Sequence, residues 1–296
     1  MLRLVAVLVC LAWAACARGA GVQPAPEDGD GRLRHGAYTV EIVRDDSGGA
    51  QTAVIRQGGR TVWQGTGFRF GYGDAPGADP DSAAARPPAV RDLTGDGVPE
   101  LVLHDWSGGA HCCFTFYVFT LGPRLAVLDT LPLADSDMAR FEDLDGDGRY
   151  ELRTNDWAFA YWNTSFAGSP APEVVLEPGE DGFRLAERFA RKPPLPADTV
   201  RARVARVRDE WTGERRFPPV LLWATMIEMI YGGNAAQVPG FVDCAWKGDA
   251  TGKEVFLRYF HDQLMQSPYY AELGALNGGD LHGALDGAGG GCSVAA

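Results

Sequence analysis

The sequence predicts an α+β fold, in which an antiparallel β region is followed by a small all-helical region. Between about residues 37 and 190, short alternating or β-rich runs are separated by Gly, Asp and Pro, which is the pattern of strands joined by turns. From Pro194 onward, apolar residues recur with a period of about 3.6 instead of two, which is typical of helices. With 296 residues, of which 46% are hydrophobic, the chain is long enough for about two such regions.

The N-terminus has the pattern of a secretory signal. Arg3 precedes an unbroken apolar stretch at 4–15, and small residues at 15–17 fit a cleavage site. We therefore expect a secreted or periplasmic protein, with a lipid anchor on Cys16 as the alternative because Ala14-Ala15-Cys16 resembles the end of a lipobox. No later segment predicts a membrane span. The net charge of −12 argues against nucleic acid as a partner.

The predicted organisation has five parts. These are a signal peptide at 1–20, a flexible leader at 21–34, a β-repeat domain at 35–192, a helical domain at 193–283 and a flexible tail at 284–296.

Strands are predicted from β-rich runs bounded by turn residues. The Gly58-Gly59 pair predicts a hairpin, and Gly122-Pro123 predicts another turn. The predicted strands are 38–43, 52–56, 114–121, 125–131, 173–176 and 183–188.

An internal repeat organises the β region. DLTGDGVPELVLHDW at 92–106 aligns without gaps on DLDGDGRYELRTNDW at 143–157, with nine of fifteen positions identical. Two strand-like runs follow each copy, so each repeat predicts a sheet of about four strands that resembles a propeller blade. A partial third unit is predicted at 38–64. Since a closed ring needs at least about four blades, we expect packed sheets or an incomplete propeller.

Three helices are predicted in the C-terminal region. The first places Val200, Val204, Val207 and Trp211 on one face, with Asp198 as its cap. The second is opened by two prolines at 218–219, is apolar except for Glu228 and ends at Gly232. The third, at 255–265, follows a capping-box pattern of Thr251 and Glu254.

Both copies of the repeat contain an acidic loop suited to calcium. Calcium takes six to eight oxygen ligands, and a chain can wrap it where carboxylates alternate and a glycine permits a sharp turn. A glutamate at position 9 of each loop could complete the shell. The predicted ligands are Asp143, Asp145, Asp147, the carbonyl of Arg149 and Glu151 in the second loop, and Asp92, Thr94, Asp96, the carbonyl of Val98 and Glu100 in the first.

Thr94 replaces one carboxylate in the first loop, so the second loop is expected to bind the ion more tightly. The alternative is that each Asp-Gly pair only makes a hairpin turn. Position 12 of each loop is Leu103 or Thr154 rather than glutamate, and strands rather than helices flank it, which disfavours an EF-hand.

Tandem D-x-D-x-D-G-x-x-[DE] loops in β repeats resemble the FG-GAP and VCBS repeats of integrin α-chain propellers and bacterial surface proteins. The resemblance covers about residues 88–190. It implies calcium as cofactor and the acidic residues of both loops as ligands. The C-terminal helices have no counterpart in that repeat, so the adhesion roles of the family are not transferred.

Four cysteines lie beyond the signal: Cys112, Cys113, Cys244 and Cys292. Disulfides are the favoured interpretation outside the cytoplasm, and bonds from the adjacent pair to Cys244 and Cys292 are plausible if 112 and 113 lie on a strand. A metal site or a nucleophilic cysteine, with His104 or His261 as base, is the alternative. The remaining histidines, His35 and His282, show no spacing that suggests a shared site.

The favoured function is an exported module with structural calcium ions and a protein or glycan partner; no catalytic residue is assigned. Aromatic residues at 157–166 could stack on a sugar, although packing between sheets is the simpler interpretation. The first alternative is a secreted hydrolase at the β/helical junction that uses His104, Asp105 or His111. The second is a lipid-anchored adhesion protein.

Overall fold

The computed structural model describes residues 32–44, 49–75, 89–110, 112–212, 217–285 and 292. In these residues, three antiparallel sheets follow one another along the chain, and helices follow the third sheet. The predicted α+β class is therefore confirmed. The signal peptide, most of the leader, His111 and most of the tail lie outside the described residues.

The first sheet contains β1 (Arg32–His35), β2 (Tyr38–Arg44), β3 (Gln51–Gln57) and β4 (Arg60–Gly67). The second contains β5 (Arg69–Tyr72), β6 (Val90–Arg91), β7 (Glu100–Trp106), β8 (Phe114–Leu121) and β9 (Leu125–Ala134). The third contains β10 (Arg140–Glu142), β11 (Glu151–Asn155), β12 (Glu173–Gly179) and β13 (Gly182–Leu185).

Each sheet pairs strands that are close in sequence, and in the part of the chain that the structure describes none of the three sheets is closed. The orders are β1-β2-β3-β4, β5-β7-β8-β9 with β6 also on β7, and β10-β11-β12-β13. The hairpin between β3 and β4 has Gly58 and Gly59 at φ of +55° and +81°, as the glycine pair predicts. The unit predicted to be partial is a complete four-stranded sheet, because a strand at Arg32–His35 pairs with β2 inside the predicted leader.

The second sheet lies between two hydrophobic cores. Along β7, Leu101 and Leu103 point into a core shared with the first sheet, while Val102 points into a core shared with the third sheet and the helices. This alternation follows from the period of two in a strand. Burial on both faces explains why β7 contains three consecutive apolar residues at 101–103 and why β8 is mostly apolar.

The helices are α1 (Glu187–Ala190), α2 (Ala197–Glu210), α3 (Val220–Tyr231), α4 (Val238–Ala245), α5 (Ala250–Leu264), α6 (Tyr270–Leu276) and α7 (Leu281–Leu285). The second predicted helix is confirmed as α3, which follows Pro219 and ends at Gly232. The predicted strand at 183–188 is wrong at its end, because the chain turns into α1 after Leu185.

Two predicted helix caps are also wrong. Asp198 lies inside the first turn of α2 and pairs with Arg201, while Pro196 takes the cap position. Asp249, not Thr251, caps α5, since its carboxylate accepts the N–H of Gly252 at 2.7 Å. Among the described residues, no helix combines the length and the hydropathy of a membrane-spanning segment.

Candidate metal centre

The two acidic loops occupy equivalent places in neighbouring sheets. Residues 92–99 connect β6 to β7, and residues 143–150 connect β10 to β11. Strands therefore flank both loops, as predicted. The loops also adjoin each other, because the N–H of Tyr150 donates to the carbonyl of Leu93 at 2.9 Å.

In the first loop, one carboxylate organises the turn. Asp92 accepts the main-chain N–H groups of Gly95, Asp96 and Gly97 at 2.7, 3.2 and 2.8 Å. Asp96 in turn accepts the N–H of Val98 at 2.8 Å. Such local side-chain bonds to main-chain donors are what aspartate typically contributes to turns.

The second loop repeats this pattern. Asp143 accepts the N–H groups of Gly146, Asp147 and Gly148 at 2.8, 3.1 and 3.1 Å, and Asp147 accepts that of Arg149 at 2.8 Å. The glycines at position 6, Gly97 and Gly148, have φ of +85° and +86°, a conformation that other residues rarely adopt. The identical spacing of the two motifs thus yields the same turn.

Each loop is closed by a buried glutamate at the start of the next strand. Glu100 and Glu151 have no exposed surface, and their Oε2 atoms accept the N–H groups of Leu93 and Leu144 at 2.8 and 2.9 Å. The two loops differ in the second carboxylate oxygen. In the first loop, neither Oε1 of Glu100 nor the buried Oγ1 of Thr94 has a hydrogen-bond partner among the described residues.

Burial raises the pKa of Glu100 to about 7, opposed in part by the main-chain N–H groups of Leu93 and Thr94 and reinforced by the carboxylates of Asp96 and Asp92. Leaving a buried carboxylate oxygen unpaired is costly. A cation held between Glu100, Thr94, Asp92 and Asp96 would remove that cost. The first loop therefore has both the oxygen donors and the unmet charge that a hard cation requires.

The raised pKa of Glu100 predicts that the free energy of unfolding depends on pH when the protein is freed of divalent ions. The folded pKa of about 7 lies above the ordinary 4.5, so the folded state keeps a proton that the unfolded state releases. The associated stabilisation is complete below pH 4.5 and is lost as the pH rises to 7.

Urea unfolding in chelator should therefore show that the wild type loses stability, relative to Glu100→Gln, between pH 5 and pH 8. The variant is the control because it cannot titrate at this position. An equal pH response in both proteins would contradict the assignment.

In the second loop, three carboxylates converge and an arginine joins them. Ligand atoms of Asp143, Asp145 and Glu151 all lie within 4.8 Å of one another, whereas in the first loop Asp92, Asp96 and Glu100 do not meet this distance. The guanidinium of Arg188 contacts Asp145 at 2.7 Å and Glu151 at 2.8 Å. Nothing in the sequence indicated Arg188, which lies in α1.

Arg91, directly before the first loop, is a second basic residue that sequence reasoning missed. It is buried, pairs with Asp74 at 3.3 Å and lies over the ring of Tyr150 at 4.9 Å. Burial lowers the pKa of Arg91 and raises that of Asp74. The Arg91 guanidinium thus contacts Tyr150 of the second loop, and among the described residues it makes no ion pair with the first loop.

The cysteines form two disulfides, Cys112–Cys113 and Cys244–Cys292. The sequence left three pairings open, and the one that joins the adjacent cysteines to Cys244 and Cys292, although plausible, is not the one found. The Cys244–Cys292 bond joins α4 to Cys292, which lies within the predicted tail.

Two side chains that were suggested for a hydrolase site, His104 and Asp105, form hydrogen bonds with the main chain. His104 is buried with Nδ1 at 3.0 Å from the carbonyl of Gly73, and Asp105 accepts the N–H of Arg69 at 3.1 Å. Both lie on β7 in the second sheet. His261 and His282, for which the sequence suggested no shared place, have ring centroids 4.7 Å apart.

The junction between sheets and helices is filled by a network around Asp156. This carboxylate, 3% exposed, accepts the hydroxyls of Tyr231 and Ser267, both at 2.5 Å, and the N–H of Ala158 at 2.8 Å. Sequence reasoning missed this network, since its partners come from distant helices and the matching Asp105 of the first repeat bonds to the main chain instead.

The aromatic residues at 157–166 divide into two groups. Phe159 is buried and Trp162 packs against Trp223 in the core, whereas Trp157 stacks on Phe166 at 4.8 Å. Trp162 also lines a cavity of about 680 Å³ in the helical region, together with Trp211, Trp246 and Tyr259. Phe159 and Trp162 therefore pack between the third sheet and the helices, whereas Trp157, Phe166 and the exposed Tyr161 form a separate aromatic group outside that core.

No family model, no curated protein and no solved structure matches this chain. The fold and the loops define an α+β protein with three antiparallel sheets and two matched acidic turns.

Proposed function

We propose that this chain is an exported calcium-binding protein, in which structural ions at the two acidic loops stabilise a β region that serves as an interaction module. The observation that carries the proposal is the buried pair of unpartnered oxygens, Oε1 of Glu100 and Oγ1 of Thr94, beside the carboxylates of Asp92 and Asp96. A divalent cation would satisfy these oxygens together.

The donor set favours calcium over transition metals. The predicted ligands are carboxylate, hydroxyl and carbonyl oxygens, with no His or Cys in either loop. Oxygen-only sets suit hard cations, and a loop that offers side-chain and carbonyl oxygens suits the high coordination number of calcium. The resemblance to FG-GAP and VCBS loops supports the same ion. Each loop connects two strands of a sheet, so a bound ion would increase the stability of that sheet.

Calcium is expected to raise the melting temperature of the protein. Binding to the folded state alone stabilises it by about 2.7 kcal/mol at a hundredfold excess over Kd. Thermal unfolding in calcium, in magnesium and in chelator measures the effect, with calcium titration calorimetry as the direct assay.

Glu100→Gln should lose the calcium response of the first loop. The matched control is Glu210→Gln on α2, which removes a charge outside both loops and should keep the full response. A melting temperature that chelator leaves unchanged, together with no heat of binding, would refute the proposal.

Export is a separate part of the proposal, supported by residues 1–20 of the sequence. Intact mass of the mature protein tests it. Cleavage near residue 17 or 20 would support soluble export, a diacylated Cys16 would support the lipid anchor, and a full-length mature chain would refute both.

A further inference from the structure

The two loops share their main-chain geometry but differ in how their charge is balanced. In the second loop, Arg188 places Nη1 at 2.7 Å from Oδ2 of Asp145 and Nη2 at 2.8 Å from Oε1 of Glu151. In the first loop, the described residues place no arginine or lysine in an ion pair with Asp92, Asp96 or Glu100.

The position of the guanidinium is informative because the glutamates correspond atom by atom. Oε2 of Glu100 and Oε2 of Glu151 accept equivalent N–H groups at 2.8 and 2.9 Å. The remaining Oε1 has no partner in the first loop, whereas in the second loop it is bound by Arg188. The guanidinium of Arg188 thus binds, in the second loop, the carboxylate oxygen whose counterpart in the first loop has no partner.

We propose that Arg188 is a built-in counterion of the second loop, and that calcium enters this loop only in exchange for the guanidinium. This inference rests on the proposed calcium function. Arginine suits the role since its planar fork can bridge two carboxylates at once. Direct competition follows, because an ion coordinated by both Asp145 and Glu151 needs the oxygens that Arg188 binds.

The exchange has a structural route. The side chain of Arg188 is 44% exposed, so it can leave the loop without unpacking a core. Glu177 lies next to it, with Oε2 at 3.5 Å from Nε, and can retain the displaced guanidinium. The first loop is then the tighter calcium site, which reverses the order expected from carboxylate number.

Exchange also links the ion to the helices. Arg188 belongs to α1, which lies between β13 and α2, and the neighbouring Leu185 donates its N–H to Glu272 of α6 at 2.9 Å. The ion pairs of Arg188 thereby connect the second loop to the segment that joins the third sheet to the helical region, and the exchange would break this connection.

Calcium titration calorimetry of the full chain in a Glu100→Gln background tests the inference, because that background reports on the second loop alone. Adding Arg188→Met should lower the Kd for calcium about three- to tenfold, the range expected for removing a half-exposed competing ion pair. The control is Arg191→Met, which removes a nearby arginine paired with Glu187 and should leave the Kd unchanged.

A second variant covers the case in which Arg188→Met folds poorly. Arg188→Lys keeps the charge but cannot bridge two carboxylates with a planar fork, so an intermediate Kd is expected. Arg188→Met should also melt at a lower temperature in chelator, owing to the unpaired Glu151, and calcium should restore it.

The outcomes separate this inference from the proposed function. If Glu100→Gln binds calcium and neither Arg188 variant binds it more tightly, the exchange is overturned while calcium binding stands. If the wild type binds no calcium at all, both are overturned.

Discussion

Asp156→Ala is expected to lower the free energy of unfolding by about 2–5 kcal/mol, because each of two buried hydroxyls left without its acceptor costs about 1–3 kcal/mol. The carboxylate is 3% exposed and accepts two hydroxyls and one main-chain N–H. Its removal leaves the hydroxyls of Tyr231 and Ser267 buried without their acceptor, and such groups are expensive to leave unpaired. Urea unfolding followed by tryptophan fluorescence and circular dichroism measures the loss.

Two further variants test whether the loss of stability comes from the hydrogen bonds of Asp156. Tyr231→Phe removes one hydroxyl and keeps the carboxylate and its other bonds, so a smaller loss of about 1–2 kcal/mol is expected. Asp262→Ala, an exposed position on α5, serves as the charge control and should change little. A loss for Asp156→Ala no larger than for the control would show that the network does not stabilise the junction.

The second large effect is expected for Asp92→Ala, which should cost about 2–3 kcal/mol in chelator. Hydrogen bonds to a charged acceptor contribute about 1.5–3 kcal/mol each, but the donors here are exposed and water replaces part of the loss. The three N–H groups of residues 95–97 lose their common acceptor, so the turn between β6 and β7 is no longer held. Chemical denaturation in chelator measures the cost without any contribution from a bound ion.

Asp209→Ala is the matched control for Asp92→Ala, because it removes an aspartate from an exposed position on α2. Its unfolding midpoint should lie close to that of the wild type. Should both alanine variants unfold at the same midpoint, the turn would not depend on Asp92 in the way the hydrogen bonds indicate.

The turns themselves were predictable because their bonds are local. Asp92 and Asp143 accept donors only three to five residues away, and the bond from Glu100 to Leu93 spans seven residues. A motif of carboxylates and glycines at fixed spacing therefore specifies this geometry almost alone. The same holds for the hairpin at Gly58 and for α3, whose start and end are marked by proline and glycine.

Charge balance in the loops was not predictable in this way. The number of carboxylates predicted tighter calcium binding at the second loop. However, Arg188 lies 37 residues beyond Glu151 in the sequence, and its guanidinium pairs with the Glu151 carboxylate. The helix caps were misread for a smaller reason, since Asp249 and Thr251 are two residues apart and both types cap helices.

The sequence by itself determined the α+β class, the strands around the acidic turns and the turns' internal hydrogen bonds, because these depend on contacts within a few residues. The tertiary structure alone decided the Cys244–Cys292 disulfide, the junction at Asp156 and the pairing of Glu151 with Arg188. Ser267 meets Asp156 across 111 residues, and only packing of the helices on the third sheet brings them together. Burial then makes such contacts energetically important, since a charge withdrawn from water must find its partner within the fold.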